Sequence, residues 1–586
     1  MTAVLDLAPP FVGYLPGGSD LAAFQAWLTE DHGVIAIDIE TTGLDTRAPD
    51  FTVRLLSVGA SDGTAWVVDG RDGVLVRTAL TAAVRTGKRL WAHNATYDAA
   101  AIHAAYGVRL RGLRCSLVAS KCLDPTIIGT GRGSLKILRP ATQAALEALA
   151  AHWATVSGTT TTCEREHAWL PDAVRGLPAD DPVLLHYAAV DAVECARLMR
   201  DWVALRPAEE RQIALTETTI EDLWRWPAAR GYRVDIPMLH RELAALESMR
   251  RESVERWGQD LTSSSNATRE WVARRGIHIT DHDGKSTLAH RHCATASVPE
   301  DVAEDWTDFL RIRQVARTAN KLSEISLLVG EGDRLHPQIR AIGAHTGRMS
   351  IGKPALQNLT EGLRGLLLAE PGMVLVGCDL DRVEPCVIAA LSGDEALIEA
   401  VRADVYTELA VSVFGEGARG DSARRSLCKT AFLAMIYGQG APSLSRNLGI
   451  AEVAARDVIT GIRAGYPGMA RWMSETKWRA SRGQLVFTAG GRRLPPCEEA
   501  GYRAVNWAVQ GSAADIFKTC TMAAATALPR DALWLPVHDE LIVQVPAGSE
   551  LAAAETLRAA MTTTLNGVPI TGTPLILGER WCKARP

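Results

Sequence analysis

Two acidic residues follow an apolar run near the N-terminus. Asp38 and Glu40 lie two positions apart at the end of the β-branched run Val34–Ile39, in the sequence DIETTGL. Side chains at i and i+2 of a strand point to the same face, so both carboxylates can converge on one metal ion. Hard oxygen ligands of this kind select Mg²⁺ or Mn²⁺. Taken alone, such a pair is more often an acidic strand end that faces water.

Two further acidic segments come later in the same half of the chain. The first, His93–Asp98, reads HNATYD, and the second places Tyr187 and Asp191 inside a predicted helix, Val183–Met199. Residues four apart share a helix face, although a pair of this kind is usually on the surface. Hydrolysis of a phosphodiester by two metal ions requires several carboxylates around ions about 3.5–4 Å apart. The combined set could supply them.

Two segments of the C-terminal half also end in carboxylates. The apolar strand Met373–Cys378 ends at Asp379, and a predicted helix, Val383–Leu391, follows it. Leu533–Val545 alternates apolar residues around the triplet HDE, which is typical of a hairpin with a polar turn. Such a turn could present Asp539 beside Asp379. Each segment alone is equally typical of an ordinary strand end or hairpin turn.

A basic stripe lies between these two segments. Residues 424–438 (RRSLCKTAFLAMIYG) space Arg425, Lys429, Leu433 and Tyr437 by four, which places them on one drifting helix face. Two cations on one face suit a triphosphate, and an aromatic ring one turn further can stack on a base. The two cations alone are more often a solvated surface. Residues 421–520 contain 14 Lys and Arg against 7 Asp and Glu, so the overall net charge of −5 does not argue against a nucleic-acid partner.

The chain divides into three regions that differ in their predicted secondary structure, and these elements must position the candidate residues. A chain of 586 residues predicts about three to five folding units. Residues 1–205 alternate strand and helix patterns, which favours α/β; residues 206–335 are helical and charged; residues 336–586 return to mixed α/β. The amphipathic runs Asn266–Arg275 and Asp305–Leu328 predict helices in the middle region.

Composition indicates where the protein works. No run approaches the roughly 20 apolar residues of a membrane span. Met1–Pro10 lacks a basic start and contains Asp6, which makes it a poor signal peptide. None of the eleven cysteines forms a C-x-x-C pair, so neither a disulfide framework nor a structural zinc site is expected. We expect a cytoplasmic protein.

In this order, the three N-terminal segments resemble the motifs of DEDD-type 3′–5′ exonucleases in their tyrosine variant. The resemblance implies that Asp38, Glu40, Asp98 and Asp191 hold the metal ions and that Tyr187 orients the attacking water. It also implies a ribonuclease H-like α/β exonuclease domain over residues 1–205, acting on a single-stranded 3′ end.

The C-terminal segments look like motifs A, B and C of the DNA polymerase I family, family A. Supporting stretches occur in the family's order: GYRVD at 231–235, the thumb-like loop Thr280–Thr287, Thr346-Gly347-Arg348, Gln357-Asn358, and RAVNWAVQGSAADIFK at 503–518. The resemblance implies a right-hand polymerase domain over residues 206–586. The thumb is expected at about 236–335, the palm at about 336–395 and 525–586, and the fingers at about 396–500.

The same resemblance implies a role for each residue of the polymerase site. Asp379, Asp539 and the Leu380 carbonyl would hold two Mg²⁺ ions, for which Mn²⁺ can substitute. Arg425 and Lys429 would bind the triphosphate, and Lys429 would also protonate the leaving group. The remaining implied contacts are those to the nucleotide, by Leu433, Tyr437 and Glu384, and those to DNA, by Arg348, Asn358, Arg503, Asn506, Gln510 and His538. Expected partners are primer-template DNA, dNTPs and replisome proteins, and we expect a monomer.

Some positions depart from the family pattern. Motif A reads DLDRVEPC where many relatives read DYSQIELR, so Cys386 stands in place of an arginine. Leu433 replaces Phe or Tyr, which predicts altered discrimination against dideoxynucleotides, and Tyr406 replaces a histidine. The residues before Val34 leave no room for a 5′ nuclease domain, and this layout favours a bacteriophage origin.

Two alternatives remain at this stage. One is a nuclease whose C-terminal half only grips DNA, and the other is a non-catalytic DNA-binding scaffold. The first would require a broken polymerase site, whereas Asp379, Lys429 and Asp539 are present. The second would require losses in both acidic sites, whereas Asp38, Glu40, Asp98 and Asp191 are present as well. These motifs do not indicate whether the template is DNA or RNA, intact or damaged, so reverse transcription and translesion synthesis stay open as roles.

Overall fold

The computed structural model describes residues 11–123, 140–158, 169–263, 265–279, 286–288, 293, 296, 298–529 and 531–582. The chain forms two compact units. The N-terminal unit consists of residues 1–226, 340–348 and 485–496, and the C-terminal unit consists of residues 227–339, 349–484 and 497–586.

A mixed six-stranded sheet is the centre of the N-terminal unit. Its strands are β1 (Phe11–Leu15), β2 (Ile35–Thr41), β3 (Val53–Ala60), β4 (Thr64–Asp69), β5 (Leu90–Ala92) and β6 (Arg114–Cys115). Their spatial order is β1-β4-β3-β2-β5-β6, with β3 antiparallel to both neighbours and β2 parallel to β5. The predicted strands at Val34–Ile39 and Leu55–Val58 are confirmed as β2 and β3.

Helices cover this sheet. They are α1 (Leu21–Thr29), α2 (Gly73–Arg85), α3 (Ala95–Tyr106), α4 (Ser116–Leu123), α5 (Pro140–Ser157), α6 (Leu170–Gly176) and α7 (Pro182–Leu205), followed by α8 (Ala208–Arg230), which belongs to this unit as far as Trp226. The start of α7 is fixed by Asp181, whose side chain accepts hydrogen bonds from the backbone of Val183 and Leu184, and by Pro182 at the first turn. The predicted helix Val183–Met199 is therefore confirmed.

Gly59 lets α7 lie directly on the sheet. A Cβ atom at Gly59 would stand 2.5 Å from the backbone nitrogen of Val193 and 2.7 Å from the carbonyl carbon of Ala192. Real Cβ contacts are not that short, so β3 and α7 can approach this closely only because position 59 has no side chain. Asp191 lies immediately before the contact.

The C-terminal unit contains a four-stranded antiparallel sheet. Its strands are β12 (Met373–Leu380), β13 (Leu533–Val537), β14 (Glu540–Pro546) and β17 (Gly572–Gly578), in the order β13-β14-β12-β17. The shorter strands are β7 (Tyr232–Val234), β8 (Arg334–Leu335), β9 (Gln338–Arg340), β10 (Ser350–Gly352), β11 (Leu367–Leu368), β15 (Thr563–Leu565) and β16 (Val568–Ile570).

The remaining helices extend from α9 to α21. They are α9 (Ile236–Trp257), α10 (Asn266–Ala273), α11 (Ala303–Leu328), α12 (Glu361–Arg364), α13 (Val383–Ser392), α14 (Glu395–Arg402), α15 (Val405–Phe414), α16 (Ser422–Ile436), α17 (Ala441–Leu448), α18 (Glu452–Gly465), α19 (Pro467–Ser481), α20 (Tyr502–Ala527) and α21 (Glu550–Ala560). Helix α21 packs on β12 and β17, and α20 packs on α13 and α21. No helix in the described part of the chain combines the length and apolar character of a membrane span.

The predicted helices and strands of this half are present, with small shifts. The strand at Met373–Cys378 extends to Leu380, and the helix at Asn266–Arg275 ends at Ala273. The expected polar triplet at the hairpin is shorter, because only His538 and Asp539 form the turn and Glu540 already pairs with Val537. Residues 280–285 of the predicted thumb-like loop lie outside the described residues.

Candidate functional site

Three carboxylates of the N-terminal unit meet at the centre of its sheet. One carboxylate oxygen from each of Asp38, Glu40 and Asp191 lies within 4.8 Å of the other two. The first two extend from the same face of β2, as the i and i+2 spacing predicts, and Asp191 comes from α7. The fourth predicted carboxylate, Asp98, lies in the first turn of α3 and is outside this group of three.

Burial and mutual repulsion oppose ionisation of these carboxyl groups. The pKa of Asp38 and that of Glu40 are both raised well above the usual range, mainly by burial and then by the neighbouring carboxylates. Burial also raises the pKa of Asp98 and of Asp191 to about 7. A divalent cation would offset this repulsion, so binding of a metal ion to these carboxyl groups should release protons from them.

The geometry of this group fits a hard divalent cation. Asp191 Oδ1 is buried and has no hydrogen-bond partner among the described residues. A buried carboxylate oxygen normally has a partner, so an orphaned one beside two other carboxylates points to a ligand that completes it. Oxygen-only donors are those that Mg²⁺ and Mn²⁺ prefer. The residues present therefore suit the expected ions.

Tyr187 lies one helical turn before Asp191 and is 7% exposed. Burial is the main cause of its raised pKa, and the charge of Asp191 adds to it. A tyrosine that stays protonated can donate a hydrogen bond to a carboxylate or a water molecule beside it. The water-orienting role that the resemblance implies for Tyr187 stays a prediction.

A second acidic centre lies at the end of β12 in the C-terminal unit. Asp379 pairs with Glu540 across β12 and β14, and the backbone N–H of Leu380 donates a hydrogen bond to the carbonyl of Asp539 at 3.2 Å. His538 takes a left-handed conformation with φ of 59°, which a two-residue hairpin turn requires. The hairpin thus brings Asp539 next to Asp379, although 160 residues separate them.

Electrostatics confirms that this centre is crowded with negative charge. Burial raises the pKa of Asp379 to about 7, and the charges of Asp539, Glu540 and Asp381 add to the effect. Asp381 accepts hydrogen bonds from the hydroxyl groups of Thr571, at 3.1 Å, and Thr573, at 2.6 Å. These bonds fix the extra carboxylate that motif A carries here.

Helix α16 carries the basic stripe, and both of its cations stand over one aromatic ring. The guanidinium carbon of Arg425 lies 5.6 Å, and Lys429 Nζ 5.3 Å, from the ring centre of Tyr406. Arg425 also forms a two-pronged ion pair with Asp404, at 2.7 and 3.1 Å, which lowers the pKa of Asp404 to about 2. The cations are therefore held in place before any anion binds.

The other predicted nucleotide contacts lie at the end of the same helix. Leu433 is half-buried on α16, and Tyr437 follows the last helical residue. The Tyr437 hydroxyl donates a hydrogen bond to Glu384 Oε1 at 3.4 Å, so these two predicted residues are brought together. Gly438 has φ of 80° and turns the chain away from the helix.

The predicted DNA contacts fall into separate places. Arg503, Asn506 and Gln510 lie on one face of α20, where Arg503 is exposed and Gln510 is 9% exposed. Asn358 is exposed at the end of a short 3₁₀ helix, and His538 is exposed at the hairpin turn. Arg348 belongs to segment 340–348, which packs with the N-terminal unit.

Sequence reasoning missed several residues of these sites. Asp404 is an ordinary helix cap in the sequence, and its pairing with Arg425, 21 residues later, is a tertiary contact. Tyr406 was noted only as a departure from the family pattern, and nothing local indicates that its ring lies beneath two cations. Nothing in the sequence around Gly59 indicates its role, because the helix that approaches it, α7, lies more than 100 residues further along the chain.

Comparisons with known proteins extend this picture. The family model described as DNA polymerase family A matches residues 246–582. The DNA polymerase of Mycobacterium phage L5 is 27% identical over 96% of this chain and 95% of its own length. DNA polymerase I of Chloroflexus aurantiacus is 30% identical over 68% of this chain and 46% of its own length. A solved structure, the POL domain of Pol1 from M. smegmatis in complex with DNA primer-template and dNTP, has the same fold, with a TM-score of 0.74, 20% identity and coverage of 97% of this chain and 99% of that one.

Proposed function

The chain belongs to DNA polymerase family A, and on that premise we propose that it extends a DNA primer from dNTPs on a template strand. The observation that carries the proposal is that the turn between β13 and β14 brings Asp539 beside Asp379, at the end of β12. Phosphoryl transfer asks the protein mainly for positioning and charge stabilisation, which two carboxylates and two fixed cations supply.

Each residue of the polymerase site has a part in this reaction. Asp379, Asp539 and the Leu380 carbonyl would hold two Mg²⁺ ions, which would supply activation of the primer hydroxyl and charge neutralisation of the triphosphate. Arg425 and Lys429 bind the triphosphate, and Lys429 donates a proton to the leaving pyrophosphate. We propose that Arg425 exchanges its ion pair with Asp404 for the triphosphate, because that pair is partly exposed to solvent and such pairs contribute little.

Selection of the nucleotide falls to the residues around the end of α16. Glu384, held by Tyr437, closes the 2′ side of the sugar and so favours deoxyribose. Tyr437 covers the nascent base pair, and Leu433 lies on the side of the sugar 3′ position. Arg348, Asn506 and Gln510 contact the minor groove of the new duplex, where acceptors look nearly alike in every correct pair. Arg503, Asn358 and His538 make further contacts to the DNA.

We also propose a 3′–5′ exonuclease in the N-terminal unit, acting as a proofreading activity on a single-stranded 3′ end. The group formed by Asp38, Glu40 and Asp191, with its orphaned oxygen, supports this proposal. Asp98 would complete the metal ligands, and Tyr187 would orient the attacking water. The six-stranded mixed sheet with α7 on one face supports a ribonuclease H-like domain, and the predicted boundary near residue 205 remains a prediction.

One primer-extension experiment tests both proposals. A recessed 3′ end is incubated with Mg²⁺, with and without dNTPs, for wild type, Asp539→Ala and Asp38→Ala. We expect wild type to extend with dNTPs and to degrade without them, and each variant to lose only one activity. Wild type that only degrades the primer and never extends it, even at high dNTP, would overturn the polymerase proposal, and wild type that never degrades would overturn the exonuclease proposal.

A further inference from the structure

One face of helix α8 carries a row of buried charged side chains that pack against the rest of the N-terminal unit. Glu217, Glu221 and Arg225 follow one another at intervals of four residues, on one helix face, and are 0%, 7% and 2% exposed. Buried charges persist where they are paired or hydrogen-bonded, so their partners show what this face holds. The positive charge of Arg225 acts on Asp98 and partly offsets the rise in its pKa.

The carboxylate of Glu221 binds two parts of the chain at once. Its Oε1 accepts a hydrogen bond from the hydroxyl of Thr96 at 2.9 Å, and its Oε2 accepts one from the backbone N–H of Ala341 at 2.7 Å. Thr96 lies in the first turn of α3, two residues before Asp98. Ala341 belongs to the segment that ends at Arg348. One buried side chain therefore joins the turn with Asp98 to the segment with Arg348.

A second glutamate strengthens this attachment one turn earlier. Glu217 forms a buried ion pair with Arg492, which belongs to segment 485–496. Gly347, with φ of 78°, packs so closely on Arg492 that a Cβ atom there would lie 2.7 Å from the guanidinium Nε. Both segments are thus fixed to the face of α8 that also holds α3.

We propose that Glu221 is a positioning residue that serves both activities. Through Thr96 it holds Asp98 in the metal-binding arrangement, and through Ala341 it holds the segment that presents Arg348 to duplex DNA. The proposal rests on the proposed function, which assigns Asp98 to the exonuclease site and Arg348 to the duplex. Groups that orient metal ligands typically change metal affinity or activity by about 10- to 100-fold when they are removed.

The two hydrogen bonds can be separated by mutation. Thr96→Val removes only the hydrogen bond between Thr96 and Glu221, at nearly constant side-chain shape, and Thr96→Ser restores the hydroxyl. Glu221→Ala removes both bonds. Glu210→Ala is the matched control, because Glu210 lies on the same helix in a partly exposed pair with Arg206 at 3.5 Å.

Binding is measured on the full chain in an Asp379→Ala/Asp539→Ala background, which silences the other metal site. Mn²⁺ affinity is read by electron paramagnetic resonance, and duplex affinity is read by fluorescence anisotropy without metal. For Thr96→Val we expect Mn²⁺ binding about 10- to 100-fold weaker with duplex affinity unchanged. For Glu221→Ala we expect both affinities to fall, and for Thr96→Ser and Glu210→Ala we expect neither to change.

Thr96→Val with wild-type Mn²⁺ affinity, or Glu221→Ala with wild-type duplex affinity, would overturn the proposal. If Glu221→Ala does not fold, Glu221→Gln replaces it, since the amide keeps one acceptor oxygen and at least one of the two affinities must still fall. Degradation of a single-stranded oligonucleotide, measured in parallel in an otherwise wild-type background, separates the two proposals. A wild type that binds Mn²⁺ at this group but leaves the DNA intact contradicts the exonuclease, whereas a Thr96→Val shift in Mn²⁺ affinity still supports the positioning role.

Discussion

Leu380 donates its backbone N–H to the carbonyl of Asp539 at 3.2 Å. The bond ties the end of β12 to the turn between β13 and β14, so the hairpin cannot shift along the strand without breaking it. Asp379 directly precedes the donor residue and Asp539 is the acceptor residue, so this backbone bond fixes the distance between their Cα atoms.

Metal binding at the polymerase site should depend on pH near neutrality. Burial and neighbouring carboxylates raise the pKa of Asp379 to about 7, so below that pH the metal-free site holds a proton that the ion must displace. Apparent Mn²⁺ affinity should therefore rise from pH 6 to 8, by up to about tenfold per pH unit per displaced proton, and level off above. Calorimetry of an Asp38→Ala chain in buffers of different ionisation enthalpy measures the released protons. Equal affinity at pH 6 and 8 would contradict the prediction.

Gly59→Ala should impair the proposed exonuclease activity without affecting primer extension. The added methyl group would meet the α7 backbone at 2.5–2.7 Å and push Asp191 away from Asp38 and Glu40. Overpacking of this kind costs about 1–3 kcal/mol of unfolding free energy. Thermal unfolding and degradation of a single-stranded oligonucleotide are the measurements. Gly17→Ala, where a Cβ atom meets nothing within 4 Å, is the control. Undiminished degradation by Gly59→Ala would refute the packing argument.

Tyr406→Leu should weaken binding of the incoming nucleotide. The ring faces the charged groups of Arg425 and Lys429, and each cation–π contact contributes about 0.5–2 kcal/mol. We expect the KM for dNTP to rise by about 2- to 30-fold, with a smaller change in kcat. Tyr406→Phe retains the ring face and should behave as wild type. Equal KM values for the Leu and Phe variants would show that the ring face is not what positions the cations.

Leu433→Phe should change discrimination at the 3′ position of the sugar. Leu433 is half-buried on α16, one turn before Tyr437, where an aromatic ring would form a wall beside the nucleotide. We expect the ratio of ddNTP to dNTP incorporation to differ between the variant and wild type. Single-nucleotide incorporation kinetics on one primer-template measure this ratio. Identical ratios would disprove a role for this residue in sugar discrimination.

Local patterns were sufficient for much of the fold and for the identity of the candidate residues. The i and i+2 spacing of Asp38 and Glu40 placed both on one face of a strand, and the periodicity of four placed Arg425 and Lys429 on one helix face. The alternation around HDE predicted the hairpin. These features depend on backbone periods of two and 3.6 residues, which can be read within a short window.

Long-range contacts decided the rest. The pairing of Asp404 with Arg425, the ring of Tyr406 beneath two cations, and the contact of Gly59 with α7 each join residues that are distant in sequence. The assignment of segment 340–348 to the N-terminal unit is of the same kind.

The sequence by itself therefore determined the family, the candidate metal-ligating residues and the elements that carry them, because residue type and spacing can be read within a short segment. Only the tertiary structure decided which buried partners hold those elements, as Glu221 does for Thr96 and Ala341. A buried carboxylate needs hydrogen-bond donors, and these can come from any segment that packs against it. The sequence next to the carboxylate therefore does not show which segment supplies them.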